Sequence, residues 1–224
     1  MNILVTGAKG FIGKNLTNYL KDNFSFNIIE FTSNHDNNFL QESLLKTDFI
    51  IHLAGVNRPK DNKLFKEVNL KLTNNICDYL NKTSNSIPLI FTSSTQYSLE
   101  NDYGKSKKEC EEQLIQLNKK NKNPIIIYRL PGVFGKWSKP DYNSVVATFC
   151  FNIANNKNIK ITDPNKEITL VYIDDVIKSF CNLLNMQLSG VSYEKIVPQY
   201  KISLSELAYK INNFSKQRKN LFID

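Results

Sequence analysis

Short apolar runs and helical stripes alternate along about the first 130 residues. Asn2 to Thr6 is an apolar run that predicts a strand, and a glycine-rich stretch leads from it into a helix reaching about Leu20. Phe26 to Phe31 predicts a second strand, Leu40 to Leu45 a short helix and Phe49 to Leu53 a third strand. Leu64, Val68, Leu72, Ile76 and Leu80 recur at every fourth position, so residues 64–80 predict a helix with one apolar face. Pro88 to Thr92 then reads as a strand, Tyr103 to Asn118 as a helix and Pro124 to Arg129 as a strand. Strands alternating with helices imply βαβ units, and right-handed crossovers lay the helices on both faces of a parallel sheet. The expected fold class is α/β, a doubly wound parallel Rossmann sheet. The unbroken Ile125-Ile126-Ile127 suits a strand covered on both faces.

The last third changes character. Asn143 to Ala154 predicts a helix, Ile159 to Thr162 and Thr169 to Tyr172 short strands, and Asp174 to Leu184 another helix. Ser203-Leu-Ser-Glu206 has the spacing of a capping box that opens a final helix to about Phe214. These pieces are too few for an independent core. They predict a small substrate-binding cap over about residues 131–224, packed at the carboxyl edge of a cofactor-binding part over about 1–130, within one domain.

Composition narrows the partners. The chain has 224 residues, 41% hydrophobic and 22% charged, enough for one large domain. Mean hydropathy is −0.35, no long apolar run predicts a membrane span, and no basic-flanked apolar leader opens the chain, so a cytoplasmic protein is expected. Cys77, Cys110, Cys150 and Cys181 form no CxxC pair, and His35 and His52 are the two histidines, so no metal site is expected. The net charge of +8 is spread over scattered lysines, and no aromatic RNA-binding motif accompanies them. Neither nucleic acid nor membrane is the expected partner. A basic surface also suits a small phosphorylated substrate.

Three motifs carry chemistry. Gly7-Ala8-Lys9-Gly10-Phe11-Ile12-Gly13 follows a strand and opens a helix, the context in which glycines let a pyrophosphate approach the helix N-terminus. Gly7 allows the tight turn, Gly10 the close approach, and Gly13 close packing of helix on sheet. Tyr103 and Lys107 stand four apart, one turn distant on one helix face. An ammonium beside the phenol is expected to lower its pKa, and the lysine can also bind ribose hydroxyls. Thr92-Ser93-Ser94-Thr95 ends a strand at the sheet edge where open α/β folds bind ligands. One of these hydroxyls is the candidate to hold a reacting carbonyl oxygen.

The glycine loop, Ser94, Tyr103 and Lys107 together resemble the extended branch of the short-chain dehydrogenase/reductase superfamily. That resemblance implies that Ser94, third in the hydroxyl triplet, is the catalytic serine, with Ser93 as the fallback. His52-Leu53-Ala54-Gly55 is similar to a strand end beside the cofactor ribose, and Asn69 to a helix asparagine of the family; an ordinary polar helix position explains Asn69 equally well. Arg129-Leu-Pro131-Gly132-Val-Phe-Gly135 resembles a loop lining nicotinamide and substrate. Longer strings, Ile3 to Lys14, His52 to Pro59, Phe134 to Cys150 and Thr169 to Val176, resemble the reductase domain of the CapF family of capsular polysaccharide enzymes in the UDP-N-acetyl-L-fucosamine pathway. Members of that family continue into a metal-dependent cupin domain that epimerises C3. The chain stops at Asn220 to Asp224, so the reductase half alone is expected here.

Cofactor choice falls at the tip of the second strand, where NAD enzymes place an acid. Thr32 and Ser33 occupy that tip, and Glu30 lies deeper. Lys9, before the second glycine, can meet a 2′-phosphate, and the resemblance also implies NADPH; NADPH is expected, with NAD as the other option. Arg58 and Lys136 are candidates to meet a substrate diphosphate. The reading is NADPH-dependent reduction of a UDP-linked 2-acetamido-6-deoxy-4-keto sugar. Two alternatives stay open: an NAD-dependent nucleotide-sugar epimerase or dehydratase, and a non-catalytic scaffold. Thr95-Gln96 stand where a dehydratase carries acids, which weighs against it. A homodimer is compatible with all three.

Overall fold

The computed structural model describes residues 1–56, 61, 65–142 and 144–217. Six parallel strands form the main sheet, in the order β2-β1-β3-β4-β5-β8. Their bounds are β1 Asn2–Thr6, β2 Asn27–Phe31, β3 Phe49–His52, β4 Leu89–Ser94, β5 Ile125–Leu130 and β8 Val191–Glu194. Alternation sends successive apolar side chains to opposite faces. Ile3, Val5, Ile51, Ile90 and Ile126 pack into one core, beneath α1 (Phe11–Asn23) and α6 (Ile173–Leu183). Leu4, Ile50, Leu89, Phe91, Ile125 and Ile127 pack into the other, beneath α2 (Asn37–Leu45), α3 (Lys71–Thr83) and α4 (Asp102–Asn121). Each such side chain taken fully out of water stabilises the fold by roughly 1.5–3 kcal/mol. Continuous apolar strands therefore force the two-sided cover that the pattern predicts.

Smaller elements complete the molecule. β6 (Gly132–Phe134), β7 (Glu167–Tyr172) and β9 (Tyr200–Ser203) make a three-stranded sheet, β7 antiparallel to β9. α5 (Val145–Ala154) and α7 (Leu204–Gln217) close it through a small core of Phe149, Leu207 and Ala208.

Four local expectations need correction. Residues 159–162 are not a strand; Ile159 and Ile161 pack against the small core from an irregular segment. The stripe from residue 64 is not one regular helix: Leu64 lies outside the described residues, Phe65–Leu70 is a π-helical turn, and regular helix starts at Lys71. Ser203 Oγ accepts the Glu206 N–H at 3.2 Å, but the Glu206 carboxylate faces Lys210 at 3.5 Å, so the cap is one-sided. The last third does not form only a cap, since α6 and β8 return to the main sheet. The sheet had an open edge beside β5, and β8 pairs with it from Ile125 to Tyr128.

Candidate active site

The carboxyl ends of the main strands meet the small sheet along a cleft of about 550 Å³. On one wall, the turn after β1 puts Gly7 at φ +69°, a backbone conformation that side chains resist. A Cβ there would lie 2.8 Å from the Ala54 backbone, so the turns after β1 and β3 abut. A Cβ on Gly13 would lie 2.7 Å from the Ala8 carbonyl, which is why α1 sits this close to the loop. Gly10 caps α1 with no side-chain hydrogen bond, leaving the N–H groups of its first turn aimed into the cleft. Lys9, Phe11 and Ile12 line the same wall.

The end of β3 is held from beneath by a buried histidine. His52 Nδ1 meets Thr6 Oγ1 at 2.7 Å and Nε2 meets Thr73 Oγ1 at 2.9 Å. The Thr73 hydroxyl donates to the Asn69 carbonyl, so it accepts from His52 Nε2–H. Nδ1 then accepts from Thr6, whose oxygen in turn accepts the Ala54 N–H at 3.1 Å. Burial, aided by the Lys107 charge, pushes the His52 pKa down to about 3, so the ring is neutral. Leu53 and Gly55 line the cleft, and Ala54 backs it.

The candidate reactive side chains come from β4 and α4. Asn101 Oδ1 accepts the Gly104 N–H at 2.7 Å and starts α4 one residue before Tyr103. Tyr103, Lys107 and Ser94 all face the cleft, and Ser94 hydrogen-bonds the Tyr103 phenol. Ser93 also borders the cleft, but its hydroxyl donates to Glu111. Its hydroxyl is committed there, and of the two serines Ser94 is the one beside Tyr103. Lys107 Nζ donates to the Thr92 carbonyl at 2.8 Å and lies 4.8 Å from the centroid of Phe91.

The expected lowering of the Tyr103 pKa is overturned. Burial raises it, with the Ser94 hydrogen bond pulling the other way. Tyr103 is thus a phenol at neutral pH rather than a phenolate.

Other candidates fall elsewhere. Asn69 is 2% exposed and is neither a cleft residue nor a solvated helix position. Its Oδ1 accepts the Val56 N–H at 2.8 Å, while Nδ2 donates to the Val56 carbonyl and to Ser106 Oγ. It clamps the turn after β3 as a strand neighbour would. Lys136 turns away to Asp174, 3.3 Å distant, and the cation of that loop lining the cleft is Lys139. Thr32 is buried, with its N–H on His35 Nδ1, and Ser33 is exposed; neither lines the cleft. Glu30 is paired with Lys21 of α1 at 2.5 Å. Arg58 lies outside the described residues. Pro131 lines the cleft and also a second hollow of about 350 Å³, which runs beside Ser144 to Thr169 on β7.

Sequence reading missed Trp137 and Tyr142, half-exposed rings on the cleft wall. Trp137 and Asp141 sit at φ +67° and +55°, in a loop that no periodicity describes. The one signal for them was their place inside the long string beginning at Phe134.

The profile of the NAD dependent epimerase/dehydratase family matches residues 3–197. The chain belongs to that family. It is 44% identical over 221 residues to the UDP-2-acetamido-2,6-beta-L-arabino-hexul-4-ose reductase of Pseudomonas aeruginosa, covering 99% of this chain and 59% of that protein. The crystal structure of the capsular polysaccharide assembling protein CapF from Staphylococcus aureus superposes with a TM-score of 0.85 at 36% identity, over 98% of this chain and 59% of that one. The chain thus spans about three fifths of the length of these relatives. The UDP-glucuronic acid 4-epimerase of Bacillus cereus, in complex with UDP-glucuronic acid and NAD, shares the fold at a TM-score of 0.86 and 20% identity, over 96% of this chain and 83% of that one. The resemblance read from the strings is borne out. As a member of the epimerase/dehydratase family, the chain has a nicotinamide dinucleotide as the cofactor class to fit. The residues present fit it: at Gly7 and Gly13 of the loop a Cβ would collide with neighbouring backbone, and the open end of α1 faces the cleft. Among the described residues no His, Cys, Asp or Glu group is placed to hold a metal, and no helix is long and apolar enough to cross a membrane.

Proposed function

We propose that this chain reduces a UDP-linked 2-acetamido-6-deoxy-4-keto sugar to its 4-hydroxyl product with NADPH, in the synthesis of a capsular or surface polysaccharide precursor. The observation that carries the reading is the convergence of Ser94, Tyr103 and Lys107 on one cleft with the glycine loop. The 44% identity to a 4-keto-sugar reductase supports the substrate class.

NADPH, when bound, supplies the hydride. Gly7, Gly10, Phe11, Ile12 and Gly13 would hold its pyrophosphate, Leu53 to Gly55 and Lys107 its ribose, and Lys9 its 2′-phosphate. The sugar ring would occupy the junction of the cleft with the second hollow, beside Thr95 and Pro131. Ser94 donates a hydrogen bond to the C4 carbonyl oxygen and stabilises the negative charge that develops there. Tyr103, a phenol at neutral pH, transfers its proton to that oxygen. Lys107 faces the emerging phenolate and limits its cost. Lys139 replaces Lys136 as the cation for the substrate diphosphate.

The test follows NADPH and NADH absorbance with a panel of UDP-4-keto sugars. Turnover with the 2-acetamido-6-deoxy substrate and a preference for NADPH is expected. A tightly held NAD that is regenerated on each turnover would instead make the chain an epimerase.

A further inference from the structure

The carboxyl end of β4 also carries a charged cluster that the reduction itself does not use. Ser93 donates to Glu111 Oε1 at 2.5 Å. Arg129, the register partner of Ser93 on β5, closes the other side. Its Nε lies 3.1 and 3.2 Å from the two carboxylate oxygens, and its terminal nitrogen 2.7 Å from Oε2. The guanidinium is itself sandwiched, 3.4 Å from the centroid of Tyr97 and 4.4 Å from that of Tyr193. Glu111 is 3% exposed, and a carboxylate so buried is retained only with partners of this quality.

Lys107 lies one turn earlier on α4 and is also buried. Its protein partners are the Thr92 carbonyl and the face of Phe91. Burial pushes its pKa down, and Cys110 and Glu111 push it back up. His52 faces it from β3 and is neutral. The Cys110 thiol is raised by burial and is neutral as well. Tyr103, a turn before it, is a phenol. Among the described residues, Glu111 is the carboxylate acting on Lys107, and Arg129 opposes it from β5.

We propose that Glu111 is a positioning residue for the active site: through Ser93 and Arg129 it locks α4 to the ends of β4 and β5, and its carboxylate is the counter-charge that keeps Lys107 an ammonium beside Tyr103. This rests on the reading of Lys107 as a group of the reductase site. Removing the carboxylate takes a negative charge from a poorly solvated ammonium; removing Arg129 unmasks that same charge. The two changes therefore act on Lys107 in opposite directions, which a merely structural role would not produce.

The chain labelled with 13Cε-lysine is titrated by NMR, the Lys107 signal being assigned by its loss in Lys107→Arg. In Glu111→Gln the Lys107 midpoint falls by about one pH unit or more, a tenfold change in its protonation equilibrium. In Arg129→Gln it rises, and in Glu111→Asp it stays near that of the parent. The alkaline limb of kcat moves with the midpoint in each variant. A folded Glu111→Gln with an unmoved midpoint overturns the proposal. If that variant does not fold, Arg129→Gln decides: a midpoint that stays or falls overturns it. Absence of turnover in the parent would sink the reductase reading, while the NMR midpoints would still report on Glu111.

Discussion

At the residue scale, the proposed reduction depends on a phenol that keeps its proton until it is needed. Burial holds the Tyr103 pKa above its ordinary value, which suits donation to an oxygen that becomes an alkoxide. Tyr103→Phe is expected to lower kcat by about 10²–10⁴-fold, the usual range for a lost general acid, while NADPH affinity changes by no more than a few fold. Single-turnover kinetics beside a fluorescence titration separate the two, and activity within a few fold of the parent would remove Tyr103 from the chemistry. Lys9 is exposed on the glycine-loop wall, where its charge is available to a ligand. Lys9→Glu is expected to move the NADPH-to-NADH dissociation-constant ratio toward NADH, by about 1.5–3 kcal/mol if one charge-assisted contact is lost. A ratio that does not move would return Lys9 to the solvent.

At the element scale, three backbone devices place those side chains. The left-handed Gly7 turn directs α1 at the cleft. Asn101 fixes the start of α4 and so the direction of Tyr103. The π-helical turn at Phe65–Leu70 brings Asn69 to the turn after β3. One extra residue per turn rotates the side chains that follow, and such turns are frequent at functional sites. Asn69→Ala strips three hydrogen bonds and leaves the Val56 N–H without its partner. It is expected to cost on the order of 2–4 kcal/mol and to weaken NADPH binding, because Gly55 and Val56 line the cleft. Thermal melts with and without NADPH check both effects; unchanged melting in the two conditions would contradict the clamp.

At the scale of the whole molecule, the buried His52 ties three elements together and makes stability depend on pH. Its folded pKa, about 3, lies below the ordinary 6.5, so between those values the unfolded chain binds the proton and the folded chain does not. Stability contributed by the neutral ring is present above about pH 6.5 and is lost as pH falls toward 3, on the order of 4 kcal/mol in total. Carboxylates titrate over the same range, so the measurement is a difference. Urea unfolding from pH 7 to pH 4 should show a shallower loss for His52→Gln than for the parent. Parallel curves would mean that His52 is not buried neutral in solution.

The main sheet was legible because its strands announce themselves. Ile125 to Ile127 and Phe49 to Ile51 are apolar without alternation, and only a sheet covered on both faces buries both sets. The glycine loop and the Tyr103–Lys107 pair were legible because their chemistry is local: one turn of backbone or helix places every atom involved. What sequence left open was decided by neighbours distant along the chain. Lys136 and Lys139 are the same residue type on one loop, and Asp174 on α6 takes the first, leaving the second to the cleft. Ser93 and Ser94 are chemically alike, and the pleat of β4 sends them to opposite faces, one to Glu111 and one to Tyr103. β8 and α6 carry no mark in their sequence that sends them back to the main sheet; the open edge of β5 and the uncovered face beside α1 do that. The Tyr103 pKa belongs to the same class. Its spacing from Lys107 argues for a lowered value, and burial, which exists only in the folded molecule, reverses the sign.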